Sequence, residues 1–350
     1  MSKLFFPWLQ THWSLRQDCL AGLIVSILII PQAIGYGLLA QLPAASALAC
    51  CIFPLLAYAL FGNGRSLAIG PVAIVSMMVG DALINVPLAD KVAGAQLLAL
   101  QVALILLFMR LLKLGNLVHF IGHPVIHGFT AAAAMLIIIK QLPLLLGISL
   151  MSGQAPHMAT TSLAVLALLV LIFIAKLKHA TLSKLGPLLA ILMGIFASLI
   201  WPEISWSQVP IDPQQPAIQV NSNLPWHLFS QLLSSAVLIA LIGFLESTSV
   251  IKSLSHKQVP GEQNGIKPNQ ELMGLWAANV AAAVFQAFPV AGGFGRSMVN
   301  HKAGATSPMA GVFTACFVLI FLIFAREVIA FIPLAILGAI VLMAVWPLLD

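Results

Sequence analysis

Apolar residues occur along the chain in runs that are long enough to cross a membrane as helices. A helix rises about 1.5 Å per residue, so about 20 apolar residues span the hydrocarbon core of a bilayer. Ten runs approach this length and predict transmembrane helices, near residues 19–40, 44–61, 92–112, 118–141, 160–177, 185–201, 228–251, 269–288, 308–325 and 328–347. The pattern therefore predicts an all-α integral membrane protein.

Two further apolar runs are too short to span the bilayer. Residues 67–80 contain Gly70-Pro71, and residues 294–306 follow Gly292-Gly293. Extended chain must complete these crossings, and it is tolerated at membrane depth only inside protein or beside a polar cavity. Because proline suits the first turn of a helix, we expect the first half-helix to start at Gly70-Pro71. Two short, interrupted segments of this kind are typical of inverted-repeat transporters, in which two half-helix N-termini meet and attract an anion. Kinked or re-entrant helices without a ligand are the alternative.

The Lys and Arg residues predict the orientation. If the N-terminus lies inside and all twelve segments cross once, twelve basic residues lie inside and three outside, with Arg296 in a short segment. This bias follows the positive-inside rule, and it places the loop Pro202–Pro225 outside. The net charge of +6 is spread over short loops, which argues against a nucleic-acid partner.

Composition agrees with a membrane protein and gives no sign of an enzyme. Only 7% of the residues are charged, against about 25% in soluble domains. The four cysteines have no metal-like spacing, so we interpret them as small core residues. His119, His123 and His127 favour an interfacial cluster over a metal site, because no cysteine or carboxylate joins them. There is no ATP-binding loop and no catalytic set, so we expect neither a cofactor nor enzymatic activity.

Two charged residues stand inside the apolar segments. Arg296 opposes the dipole of the second half-helix, and in lipid it costs at least about 2.5 kcal/mol. A bound anion would offset this cost, whereas an ion pair with Glu246 is the structural alternative. Glu246 lies deep in a span with Ser249 nearby, which favours coupling to H⁺ or Na⁺. Gln32 and Tyr36 share one helix face and either contact the substrate or bond to neighbouring helices.

Several stretches together resemble the SulP family of sulfate-permease-like anion transporters. They are Ile30-Pro31-Gln32-Ala33-Ile34-Gly35-Tyr36, Arg65 to Ala73, Gly243 to Ser249, and Gly295-Arg296-Ser297-Met298-Val299-Asn300. The resemblance implies a seven-plus-seven inverted repeat with half-helices at segments 3 and 10. It also implies coupling through Glu246 and Ser249. The substrate-binding residues that it implies are Gln32, Tyr36, Gly70, Val72, Ala73, Gly295, Arg296 and Ser297.

By the family plan, residues 1–115 and 226–326 form a core domain, and residues 116–210 and 327–350 form a gate domain. We expect the last two segments and the cytoplasmic STAS domain to be absent. The expected function is secondary active transport, by symport or exchange, of sulfate, bicarbonate or chloride across the inner (plasma) membrane. The alternatives are a nucleobase permease on the same fold and a truncated remnant that does not transport. Expected partners are the anion, coupling Na⁺ or H⁺ and the lipid bilayer, with a homodimer as one possible assembly.

Overall fold

The structure is a computed structural model. It describes residues 6–10, 13–115, 123–148, 157–176, 186–204, 206–209, 220, 223–255, 268–324, 326–346 and 349. These residues leave out His119, the start of the run 118–141, the loops 177–185 and 256–267, and most of Pro202–Pro225. The proposed interfacial histidine cluster and these loops therefore stay predictions.

Within the described residues, every one of the twelve predicted segments contains helix, so the predicted order of segments is confirmed. Five stretches are long and apolar enough to cross a membrane on their own: Leu15–Leu39, Ala44–Phe61, Leu88–Leu111, Met158–Lys176 and Trp226–Leu254. The helices are α1 (Leu15–Leu39), α2 (Ala44–Ala49), α3 (Phe53–Phe61), α4 (Ala73–Ala82), α5 (Lys91–Leu111), α6 (His123–Leu146), α7 (Met158–Lys176), α8 (Gly186–Ile200), α9 (Phe229–Ser255), α10 (Pro268–Val284), α11 (Phe294–Lys302), α12 (Met309–Phe324), α13 (Arg326–Ile329) and α14 (Leu334–Val345).

Two predicted continuous spans are each divided into two helices, and a proline accounts for each division. The run 44–61 ends its first helix at Ala49 and resumes at Phe53, because Pro54 has no N–H for a regular helical bond. The run 328–347 is interrupted before Pro333, and Leu334 there donates its N–H to the Ser207 carbonyl at 2.7 Å. In contrast, α1 continues through Pro31.

Two short strands lead into the two half-helices. β1 (Ile69–Gly70) precedes α4 and β2 (Ala291–Gly292) precedes α11, and the two strands pair antiparallel, with Ile69 opposite Gly292. Chain directions that oppose each other at the centre are what an inverted repeat produces. The expected helix start at Gly70-Pro71 was wrong. Gly70 is held in β1 by pairing with β2 and Val72 is extended at the N-cap, so Pro71 stays in the lead-in and α4 begins at Ala73.

The helices pack in two sets around these strands. In the first set, α10 packs against α3 and α5, α5 packs against α9, and α1 packs against α12. In the second set, α14 packs against α6, α7 and α8. The sets meet chiefly where α1 and α4 contact α14 and α6. The half-helices thus start at the border between the two sets.

Candidate functional site

The N-termini of α4 and α11 converge at the paired strands. Their N-cap residues, Val72 and Gly293, are extended and provide no side-chain cap. The first helical bonds run from Ser76 to Val72 and from Ser297 to Gly293. The backbone N–H groups before these bonds have no partner within the helix, and the helix dipoles make this end positive. Two uncapped ends of the same sign therefore meet at one place.

Two buried serines fix the lead-ins beneath these N-termini. The Ser297 hydroxyl accepts the Ala68 N–H at 2.9 Å, which joins α11 to β1. The Ser247 hydroxyl accepts the Gly292 N–H at 2.8 Å and donates to the Gly243 carbonyl at 2.6 Å, which joins α9 to β2. The sequence predicted Ser297 as a substrate ligand, and the structure places its hydroxyl on the backbone. The bracing role of Ser247 was not predicted from the sequence.

Arg296 projects from the first turn of α11 into this centre. Its side chain is buried, with 4% of the residue exposed, and its Nη1 donates to the Pro71 carbonyl at 2.5 Å. Its Nε and Nη2 atoms have no hydrogen-bond partner among the described residues. A buried cation with two unused donors is unusual, because desolvated charges are normally paired. This arrangement leaves hydrogen-bonding capacity for an anion.

Glu246 and Ser249 lie three residues apart on α9 and are both partly exposed, so they share one helix face. The Glu246 Oε2 atom is buried and has no hydrogen-bond partner among the described residues. Among the residues that the structure describes, no hydrogen bond or ion pair joins Glu246 to Arg296. The two charges are nevertheless near enough to interact electrostatically with each other and with Tyr36. The structure therefore does not contain the direct Glu246–Arg296 ion pair that was the structural alternative.

The other predicted ligands are placed around the same centre. Tyr36 and Ala73 are buried in one apolar cluster that also contains residues of α6 and α14. Val72 packs beside Gly293, and Gly70 lies directly against the Arg296 guanidinium. Gly295 is exposed, and a methyl group added there would meet nothing within 4 Å. Gly295 therefore has open space beside it, as a ligand contact would need.

Gln32 lies one turn before Tyr36 on α1, on the wall of a cavity of about 650 Å³. The cavity separates the two helix sets, because α1 and α11 form one wall and α7, α8 and α14 form the other. Its lining is mostly apolar, and Lys302 at the end of α11 is the one charged residue that lines it among those described. Gln32 faces the cavity, whereas Tyr36 is packed inside.

Two buried carboxylates away from the site were missed by sequence reasoning. Asp18 accepts the Thr306 and Ser307 N–H groups at 2.6 and 3.2 Å, which anchors the chain after α11. Glu271 accepts the Tyr58 hydroxyl at 2.9 Å, and Tyr58 in turn accepts the Gly64 N–H, which anchors the chain before β1. Both acids lie near predicted span ends, where an acidic residue usually faces water, so neither was predicted to be buried.

The opposed half-helices and their antiparallel lead-ins define a multi-pass membrane protein with the inverted-repeat fold. The sequence profile of the sulfate permease family matches residues 15–350. The chain therefore belongs to the sulfate permease family, and the resemblance found in the sequence is confirmed.

Individual relatives agree with this assignment. The chain is 33% identical to sulfate transporter 4.1, chloroplastic, of Arabidopsis thaliana, over 99% of this chain and 53% of the relative. It is 30% identical to the sodium-independent sulfate anion transporter of Bos taurus, over 99% of this chain and 64% of the relative. The chain thus spans about half to two thirds of the length of these curated relatives.

Solved structures show the same fold. The transmembrane domain of the cyanobacterial bicarbonate transporter BicA superposes with a TM-score of 0.84 at 21% identity, over 97% of this chain and 91% of that one. The murine Slc26a9 anion transporter, solved in the inward-facing state, superposes with a TM-score of 0.86 at 19% identity, over 99% of this chain and 63% of that one.

Proposed function

We propose that this chain carries out secondary active transport of a small inorganic anion, by symport or exchange, in the inner (plasma) membrane. The observation that carries the proposal is the buried Arg296, whose Nε and Nη2 have no hydrogen-bond partner among the described residues, where two uncapped half-helix N-termini meet. Dipoles, free N–H groups and a guanidinium all favour negative charge at this point. The relatives named as sulfate transporters and the bicarbonate transporter support sulfate or bicarbonate as cargo.

The two other functions fit these observations less well. A neutral nucleobase would leave the charge of Arg296 uncompensated, which is costly at membrane depth. The relatives' names also point to sulfate rather than to nucleobases. A remnant without a ligand would not account for two uncapped half-helix N-termini beside guanidinium donors that have no partner among the described residues.

Uptake and binding by the purified protein test the proposal. Proteoliposomes would be given labelled sulfate, bicarbonate, chloride and uracil, with and without a Na⁺ or pH gradient, and equilibrium binding of the same compounds would be measured in parallel. We expect at least one anion to bind saturably and to be taken up in response to a gradient. Uptake of uracil alone would replace the proposal with the nucleobase function. Absence of both binding and uptake for every compound would refute transport.

We further propose that residues 1–115 and 226–326 move as a core domain against a gate domain of residues 116–210 and 327–350. The cavity separates these two parts near Lys302. An apolar cluster that begins at the site closes the same border with Tyr36 and Leu39 of α1, Ala73, Ile74 and Met77 of α4, Ala133, Ala134 and Ile137 of α6, and Val341 and Val345 of α14. We call this cluster the seal. An opening on one side and a seal on the other support alternating access.

An ion pair between Lys140 of α6 and Asp81 of α4 lies near the end of α4, and it joins the two proposed domains. We expect Asp81→Asn or Lys140→Gln to loosen the seal, because an exposed pair contributes about 0.4–1 kcal/mol, or about two- to fivefold in population. In a Met77→Cys background, an impermeant thiol reagent added outside should therefore react about two- to fivefold faster.

The charge-reversed pair Asp81→Lys with Lys140→Asp should return the reaction rate toward that of the parent. Lys91→Gln is the matched control, because Lys91 donates to Gln41 at 2.7 Å within one proposed domain. Equal reaction rates in the parent and both single variants would contradict a role for this pair in closing the seal.

The positive-inside charges support a cytoplasmic N-terminus, with Gln208 outside and Lys113 inside. Cys19 and Cys316 are not buried and would be replaced first, so that they do not react. In that background Gln208→Cys should react with an impermeant reagent from the outside only, and Lys113→Cys from the inside only. The reverse result would invert the proposed orientation.

A further inference from the structure

The Arg296 guanidinium lies where two glycines have no side chains. A methyl group added at Gly293 would be 2.9 Å from Nη2, and one added at Gly70 would be 3.2 Å from the same atom. Contacts of this kind force a neighbour to shift, so no other residue fits at Gly293 with the arginine in its present position. Gly70 also has φ near +155°, a conformation that other residues rarely adopt. The two glycines come from different half-helix lead-ins, so the slot between them exists only when β1 and β2 are paired.

The same distances show which part of the guanidinium the glycines flank. The added methyl groups would be 3.2 and 3.5 Å from Cζ, only 0.3 Å farther than from Nη2 at each position. A group placed beyond the tip of Nη2 would be farther from Cζ by nearly a whole C–N bond. The glycines therefore flank the body of the guanidinium and do not cover its outer edge.

The donors that remain unused form one edge. Nη1 is occupied by the Pro71 carbonyl, which leaves Nε and Nη2 without partners among the described residues. The N–H bonds of Nε and Nη2 run parallel along one side of the guanidinium, and this fork fits two oxygens of one oxyanion. A halide has a single centre and cannot satisfy both donors in the same way.

We propose that Gly70 and Gly293 are positioning residues that fix the Nε–Nη2 edge of Arg296, and that this edge sets a preference for oxyanions over halides. This inference rests on the proposed function and names its substrate class. The glycines act through Arg296. Because they have no side chains, the guanidinium fits between them in one position, and its bond to the Pro71 carbonyl leaves the Nε–Nη2 edge free. A preorganised fork binds with less ordering cost than a mobile one.

Gly293→Ala tests the inference, and Gly292→Ala is its matched control. Both changes add a methyl group to the lead-in of α11, but the one at Gly292 meets the Leu67 side chain at 2.6 Å and not Arg296. Binding of sulfate, bicarbonate and chloride to the full chain would be measured for each variant. We expect Gly293→Ala to lower sulfate and bicarbonate affinity about tenfold, with little change for chloride, because one of two oxygen contacts is lost. Gly292→Ala should leave the ratio of oxyanion to chloride affinity unchanged.

A thermal unfolding cycle gives a readout that needs no anion. Lysine lacks the branched guanidinium, so Gly293→Ala should lower Tm less in an Arg296→Lys background than in the parent. Equal affinity ratios in Gly293→Ala and Gly292→Ala would overturn the specificity role, and additive Tm changes would overturn the slot. A parent that binds none of the three anions would refute the proposed function instead, while the unfolding cycle would still decide whether the slot exists.

Discussion

Arg296→Ala should lower anion affinity by about 100-fold or more. Each hydrogen bond to a charged group contributes about 1.5–3 kcal/mol, and Arg296 has two unused donors, so about 3 kcal/mol or more is lost. The half-helix N-termini remain and should retain weak binding. Titration of the purified protein with sulfate and bicarbonate measures the loss directly.

Arg296→Lys should recover only part of the affinity, because an ammonium is a point charge and cannot present two parallel donors. Lys91→Ala is the matched control, since it removes a basic residue whose single observed bond goes to Gln41. That variant should bind as the parent does. If Arg296→Ala also binds sulfate, bicarbonate and chloride as the parent does, Arg296 is structural and the proposed site is wrong.

The transmembrane segments and both half-helices could be predicted because lipid imposes simple rules on sequence. Apolar length decides whether a run can span, and the short runs 67–80 and 294–306 stand out for that reason. Arg296 could be singled out as a candidate site residue, because a cation at a helix N-terminus within an apolar run has no local explanation. Exact helix starts could not be predicted. Pro71 fits both a first turn and an extended lead-in, and only the pairing of β1 with β2 selects the second.

The residues that brace the site could not be predicted, because their partners are distant in sequence. Glu271 bonds to a residue 213 positions away, and Asp18 bonds to one 288 positions away. Nothing near either acid in the sequence signals such a partner. Ser247 and Ser297 have the same difficulty: a serine in a span can bond to its own helix or reach another element, and Ser247 does both. Long-range packing decides these roles.

Glu246→Gln should make anion binding independent of pH and of Na⁺. A carboxylate near the site repels an anion, and a proton or a Na⁺ ion on Glu246 removes that repulsion. In the parent, anion affinity should therefore rise as the pH falls if H⁺ is the coupling ion, or rise with Na⁺ if Na⁺ is. Coupling free energies of about 1–3 kcal/mol correspond to changes of about 5- to 150-fold in affinity. Glutamine keeps the shape of the side chain and cannot take up the ion. The anion affinity of Glu246→Gln should therefore equal that of the ion-bound parent under all conditions.

Glu271→Gln is the control that separates coupling from burial. Glu271 is a buried acid that the Tyr58 hydroxyl satisfies at 2.9 and 3.0 Å, in the packing of α10 against α3. Glu271→Gln should lower the free energy of unfolding, while its anion affinity should depend on H⁺ or Na⁺ as that of the parent does. Reciprocity adds a second measurement, because the anion must raise the affinity for H⁺ or Na⁺ by the same factor. Proton uptake or Na⁺ binding on addition of sulfate should therefore be present in Glu271→Gln and absent in Glu246→Gln. An unchanged ion dependence in Glu246→Gln would exclude Glu246 as the coupling residue.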